Sequence, residues 1–260
     1  MFWYNMNLGI IGCGAIGTDV AVAADKMEEI NKVYIYDIDK KKELTLSKII
    51  KKSKIKSVKD FIEDVDIVFE AASQKAVEEY SEFILESGKN LIIMSIGCFY
   101  DEEFKKKLED IAKKNNCKIY IPSGAVCGID GILSASIDTI DEVTLVTTKP
   151  PQSLNKKYNK RTVVFKGNAS EAVKKFPLNI NVAASLSLAG VGFDNTKVEI
   201  VADPVATRNS HKILAHGKFG RLRAEVENMP NPSNPKSSYM ASLSAVATLK
   251  KIVNPIQIGS

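Results

Sequence analysis

The first half of the chain carries two interleaved hydrophobic periods. Short apolar runs of strand length fall at residues 7–11, 33–36, 65–70, 90–94 and 117–121. Between them, apolar positions recur every three or four residues at 18–30, 40–50, 75–86 and 101–114, with a further short helical segment near 57–63. Ser87-Gly88 and Pro122 supply stop signals. Strands alternating with helices in this way predict a mostly parallel sheet covered on both faces.

From Ser123 the pattern changes. Ser123-Gly124-Ala125-Val126-Cys127-Gly128-Ile129-Asp130-Gly131 is small and glycine-rich, and it lies just past the C-terminal end of a parallel strand, where ligands of open α/β sheets bind. Strand-like runs follow at 142–148, 162–166, 198–202, 212–215 and 222–226, with apolar helical runs between them. Residues 149–160, with two prolines, read as an exposed excursion. Residues 234–238 read as the cap of an amphipathic helix over 239–251, which is expected to pack back on the N-terminal domain.

The first strand-like run leads into Gly12-Cys13-Gly14-Ala15-Ile16-Gly17, and the next ends at Asp37. This is a dinucleotide-binding fingerprint. Gly12 permits the tight turn, Gly14 lets the backbone approach a pyrophosphate, and Gly17 lets the helix pack close to the sheet; Ala15 and Ile16 then present the first helical N–H groups. Asp37 would accept the ribose hydroxyls, which favours NAD, while Lys40 to Lys42 leave NADP open. The predicted fold class is therefore α/β: a Rossmann dinucleotide-binding domain over residues 1–121, joined by the C-terminal helix of about 236–260, and a second α+β domain over 122–235 built on a mixed or antiparallel open sheet.

Composition narrows the class without changing that picture. No apolar run in the 260 residues is long enough to span a bilayer, and Met1-Phe2-Trp3-Tyr4 lacks the marks of a signal peptide, so no membrane association and a cytoplasmic location are expected. The four cysteines show no CxxC spacing, which argues against a zinc cluster or disulfides. The charge of +5 comes largely from lysines on predicted helix faces and around residues 48–56. Without interleaved aromatics these read as solvated, and no nucleic-acid partner is expected.

Only two histidines are available for proton transfer near neutrality. His211 sits in a polar stretch between two strand-like runs, where a substrate could meet Arg208, Asn209 and the ring together; His216 precedes Gly217 in a hairpin turn. The glycine motif, Ser123-Gly124-Ala125 with Gly128 and Asp130-Gly131, residues 176–184, Ala202-Asp203-Pro204 through Arg208-Asn209 to His211, and Val226-Glu227-Asn228 through 234–238 together resemble the L-aspartate dehydrogenase family, in order and over nearly the whole chain. That resemblance implies an NAD(P)-dependent oxidation of L-aspartate to iminoaspartate, a role in de novo pyridine nucleotide biosynthesis, and a homodimer. It makes His211 the active-site residue and Ala125 and Asn181 contacts of the cofactor. A dicarboxylate also needs cations, for which Arg208 and Lys236 are the candidates. Cys127 stands where the family is expected to have a small apolar residue, which keeps open an aldehyde or semialdehyde dehydrogenase using a thioester. A non-catalytic NAD(H)-binding regulator is the other alternative.

Overall fold

In the computed structural model, which describes residues 5–154, 158–176 and 180–259, the five apolar runs of the first half become strands of a six-stranded parallel sheet. Its strands are β1 (Met6–Ile11), β2 (Ile30–Tyr36), β3 (Ser53–Ile55), β4 (Ile67–Glu70), β5 (Asn90–Ile93) and β6 (Ile119–Tyr120), in the order β3-β2-β1-β4-β5-β6. Helices α1 (Ala15–Asp25), α2 (Lys40–Ser47), α3 (Val58–Phe61), α4 (Gln74–Glu86) and α5 (Glu102–Lys114) lie between them in the chain. Leu8, Ile10, Ile35, Ile67, Phe69 and Ile92 are wholly buried, as expected of strands covered on both faces. The chain leaves β1 in one direction for β2 and returns to its other side at β4, so the switch point lies at the C-terminal ends of β1 and β4.

Several boundaries differ from the sequence expectation. The helix expected over 18–30 is α1, which starts and stops five or fewer residues earlier because residues from Ile30 are drawn into β2. β3 was not foreseen; its three residues lie inside the lysine-rich run, where the edge position leaves side chains in solvent. Asp39, Ser73 and Asp101 cap α2, α4 and α5 with side-chain oxygens that accept first-turn N–H groups.

The contacts divide the chain into two compact units, one running to Pro122 and including Ser242–Ile258, the other formed by Ser123–Ala241. The second holds α6 (Ile129–Ala135), β7 (Ile140–Lys149), β8 (Thr162–Asn168), α7 (Ala169–Lys175), α8 (Asn181–Ala189), β9 (Thr196–Ala202), β10 (Asn209–Gly217), β11 (Gly220–Asn228), β12 (Pro230–Asn231) and β13 (Asn234–Ser238). The last helix, α9 (Tyr239–Val253), falls mostly with the first unit. Residues 234–238 thus form a strand paired with β12, not the helix cap expected for them.

The larger sheet of this unit runs β11-β10-β7-β9-β8; β7 and β9 are parallel and the other pairs antiparallel, so the open sheet is mixed. One face carries Val143, Leu145, Val198, Ile200, Ile213 and Ala215, all buried. The N-terminus of α6 approaches β11 closely enough that a Cβ on Gly131 would meet the Leu222 side chain at 2.6 Å. The opposite face is polar, with Lys166 paired to Glu199 and Lys197 to Glu142 across strands.

Candidate active site

In the first unit the ligand-facing groups are main-chain atoms. Gly12 has φ +101°, donates its N–H to the Tyr36 carbonyl at 2.8 Å, and would press a Cβ to 2.7 Å from the Ala71 carbonyl group. A Cβ on Gly17 would run into the Gly12 carbonyl oxygen. Both glycines are thus required by internal packing. Gly14 is different: a Cβ there meets nothing within 4 Å. It caps α1 without a side-chain hydrogen bond, and the first turn holds no acidic residue, so Ala15 and Ile16 present their N–H groups at the positive end of an 11-residue helix. Open space in front of uncapped donors fits a pyrophosphate.

Asp37, 9% exposed, closes the far side of the turn. Its Oδ2 accepts the Cys13 N–H at 2.7 Å and its Oδ1 the Asp39 N–H at 2.8 Å; each oxygen can accept a second bond from a ribose hydroxyl. Lys40 is engaged by buried Glu43 at 2.7 Å, and Glu43 also accepts the Asp37 N–H. Lys41 and Lys42 line a cleft of about 200 Å³ with Cys13 and Thr18. Burial, and then the charges of Asp37 and Glu43, push the Cys13 thiol up to about 12, so it stays protonated.

Glu70, at the end of β4, escaped the sequence reading because it looks like the last residue of a buried strand. Its carboxylate accepts the N–H groups of Ala72 and Ser73 at 2.7 and 2.9 Å, and the N–H and hydroxyl of Ser95 at 3.0 and 2.9 Å. Burial raises its pKa against those bonds. It fixes the 71–73 loop against which Gly12 packs.

In the second unit the polar groups are side chains on the covered face of the sheet. His211 lies within β10, not between strands as expected, opposite Thr147 of β7 and Val226 of β11. It is 7% exposed, and its Nδ1 is 2.9 Å from the Thr147 hydroxyl, which leaves Nε2 for proton exchange. Burial, and then the nearby Lys149 ammonium, lower its pKa to about 4, so the ring is neutral at physiological pH. Asn209 shares this face, and its buried Oδ1 accepts no hydrogen bond from the described residues. Across from it, Asn228 donates Nδ2–H to the Ala125 carbonyl at 2.9 Å and accepts from Ser238 Oγ at 2.8 Å. That bond ties the Ser123–Gly128 loop to the end of the sheet.

The structure therefore brings together His211, Asn209 and, through Asn228, Ala125. It does not bring Arg208 to them. Arg208 immediately precedes β10 and lines a cleft of about 590 Å³ with Val146, Ser210 and Lys212, which belong to the opposite face. Asn181 is the exposed first residue of α8. Lys236 lies in β13, its side chain outside the described residues, as are residues 177–179 of the segment at 176–184. His216 is exposed at the hairpin, 3.7 Å from Asp141, and Cys127 is exposed in the turn before α6. Lys149, placed in the exposed excursion by its sequence context, is instead the buried end of β7. Among the described residues no group of three or more His, Cys, Asp or Glu side chains is placed to hold a metal, and no helix is long and apolar enough to cross a membrane.

Residues 12–122 match the family model for the homoserine dehydrogenase NAD binding domain, and residues 130–252 match that for the aspartate dehydrogenase C-terminal domain. The chain is 47% identical to L-aspartate dehydrogenase of Methanosarcina barkeri, over 98% of this chain and all of that one, and 41% identical to that of Methanothermobacter thermautotrophicus over 98% and 99%. The crystal structure of Thermotoga maritima aspartate dehydrogenase superposes with a TM-score of 0.83 at 34% identity, covering 98% of this chain and 100% of that one. With both halves matched in order and full-length relatives well above 30% identity, the chain belongs to the L-aspartate dehydrogenase family.

Proposed function

We propose that the protein oxidises L-aspartate to iminoaspartate with NAD or NADP as the hydride acceptor. When bound, the nicotinamide supplies the electron sink; everything else is orientation and proton transfer by the chain. Gly12, Gly14 and Gly17 with the first N–H groups of α1 would hold the pyrophosphate, and Asp37 the adenosine ribose. Ala125 and Asn181 are proposed as further cofactor contacts, Ala125 on a loop that Asn228 pins in place.

His211 is the proton acceptor. Oxidation at Cα needs the substrate ammonium to lose a proton so that the nitrogen lone pair can form the C=N bond as the hydride leaves. The reading rests above all on one observation: a neutral, buried imidazole whose Nδ1 is held at 2.9 Å by Thr147, leaving Nε2 to take that proton. Nothing in this chemistry calls for Cys127, and a family of aspartate dehydrogenases does not favour the thioester alternative. Following reduced-nicotinamide absorbance with L-aspartate, other L-amino acids and aldehydes side by side tests the assignment. Reduction with aspartate alone is expected; reduction only with aldehydes, or tight dinucleotide binding without turnover, would overturn it.

A homodimer through the polar face of the second sheet is part of the proposal, because that face alternates Lys and Arg with Glu and can complement its own copy. Light scattering should give twice the 28.5 kDa of the chain. We further place the reaction in the cytoplasm, feeding pyridine nucleotide biosynthesis.

A further inference from the structure

The C-terminal edge of the parallel sheet holds a buried acid beside the pyrophosphate cradle. Glu70 ends β4 and is only 2% exposed. The N–H groups of Ala72, Ser73 and Ser95 that point at its carboxylate can only donate, so they favour the ionised form that burial opposes. These donors and the Ser95 hydroxyl are neutral dipoles, which stabilise a charge without cancelling it. Its field reaches the next turn: the Cys98 thiol is pushed up to about 12, first by burial and then by the Glu70 carboxylate. Ala72 and Ser73 follow β4, while Ser95 follows the adjacent β5, so one carboxylate ties together the loops that leave two neighbouring strands. The same two loops touch again where Gly97 lies against the Gln74 side chain, with no room for a Cβ. Ala72 and Ser73 themselves are small and exposed.

Asp37 follows β2 and the pyrophosphate donors follow β1, which puts the adenosine half of a dinucleotide on the β2 side of the switch point. The other half then runs towards β4 and β5, over the loops that Glu70 ties together. We propose that Glu70 positions the nicotinamide half of the dinucleotide and that its charge favours the oxidised, cationic ring over the reduced, neutral one. The proposal rests on the dinucleotide binding argued above. An oxidised nicotinamide carries a positive charge that it loses on taking up the hydride. A carboxylate fixed in a protein floor attracts the first form and is indifferent to the second, and this attraction needs no contact with the ring. The residue thus holds the hydride acceptor and lets the reduced product leave.

Glu70→Gln removes the charge at constant size. Calorimetry on the full chain measures the dissociation constants for NAD+, for NADH, and for benzamide adenine dinucleotide, in which a carbon replaces the cationic ring nitrogen. Wild type should bind NAD+ about tenfold more tightly than the neutral isostere; in Glu70→Gln that preference disappears, and the ratio of NAD+ to NADH affinity moves about tenfold towards NADH. A residue that only shaped the loops would weaken all three ligands alike, so unchanged ratios in the folded variant would overturn the assignment, even if every affinity or the melting temperature fell. Glu70→Asp keeps the charge and stretches its hydrogen bonds; it should bind all three ligands more weakly in the wild-type ratios. If the glutamine variant does not melt cooperatively, wild type and Glu70→Asp decide: equal affinity for the charged and neutral rings in wild type, or a preference lost in the aspartate variant, would overturn the proposal. A wild type that binds no dinucleotide would overturn the function proposed above and this inference with it. Oxidation of aspartate with ratios that do not move would leave that function standing and remove Glu70 from it.

Discussion

The two units solve the same problem, a polar site in a folded interior, with opposite materials. Around Gly12 to Gly17 the working groups are peptide N–H donors, and the buried acids Asp37 and Glu70 accept further main-chain N–H groups. Around His211 they are side chains, Thr147, Asn209 and Asn228, projected from one face of a sheet by its period of two. A backbone site depends on the shape of the chain and fails when a side chain is added. A side-chain site keeps its shape under substitution and loses chemistry instead. The same contrast separates binding from turnover.

The largest effect should come from the side-chain site. His211→Ala leaves the ladder of β10 intact and removes the base, so kcat should fall by about 10²–10⁴-fold with dinucleotide affinity nearly unchanged, whereas His216→Ala and Cys127→Ala, both exposed, should behave like wild type in the same steady-state assay. Equal, mild losses from all three would erase the distinction drawn here.

Gly17→Ala breaks the other site. Its methyl group meets a main-chain oxygen that cannot swing aside, so α1 must move and dinucleotide affinity should drop about a hundredfold by fluorescence titration, with a lowered melting temperature. Gly14→Ala, which has space, should fold as well as wild type and still bind more weakly, separating packing from ligand approach.

The buried imidazole also leaves a mark on stability. Its pKa in the folded chain is about 4 against an ordinary 6.5, so the unfolded chain takes up the proton first; the stability associated with a neutral ring is complete above pH 6.5 and is lost as pH falls towards 4. Wild type should lose about 3 kcal/mol more than His211→Leu between neutral pH and about pH 4, by urea unfolding. Parallel losses would mean that the ring is not held neutral.

The smallest change expected is in cofactor preference. Asp37→Ser removes the carboxylate that would repel a 2′-phosphate and should shift the ratio of NAD to NADP efficiency about tenfold towards NADP. An unchanged ratio would leave Asp37 a link between Cys13 and Asp39 and nothing more.

The contrast also explains what could be read from residues alone. The glycine turn is a local device, since a positive φ at Gly12 and a close approach at Gly17 are demanded within a few residues of sequence, so the motif and the strands around it were legible. The runs of the second domain point to an open sheet, mixed or antiparallel, and the parallel pairing of β7 with β9 makes it mixed. The corner at His211 was only half legible. The histidine stands out by rarity, but its strand reads as a loop, because Asn209, Ser210 and His211 are polar residues in a ladder. Lys149 was hidden more deeply: a lysine before two prolines looks solvated, and only the pairing of β7 with β9 and β10 shows that it points inward. Arg208, the more obvious cation, falls one residue out of phase with His211 and so on the other side of the sheet. Glu70 had no signal of its own, since its partners are three main-chain N–H groups and one hydroxyl in the loops that follow the adjacent strands β4 and β5.

The central claim is that L-aspartate gives up its Cα hydrogen directly while His211 takes the proton. L-aspartate deuterated at Cα, offered with oxidised dinucleotide, should yield reduced nicotinamide carrying the deuterium, in amounts matching iminoaspartate formed, and His211→Ala should lose that transfer while still binding the dinucleotide. Reduced cofactor without deuterium, or transfer undiminished in the variant, would contradict the account.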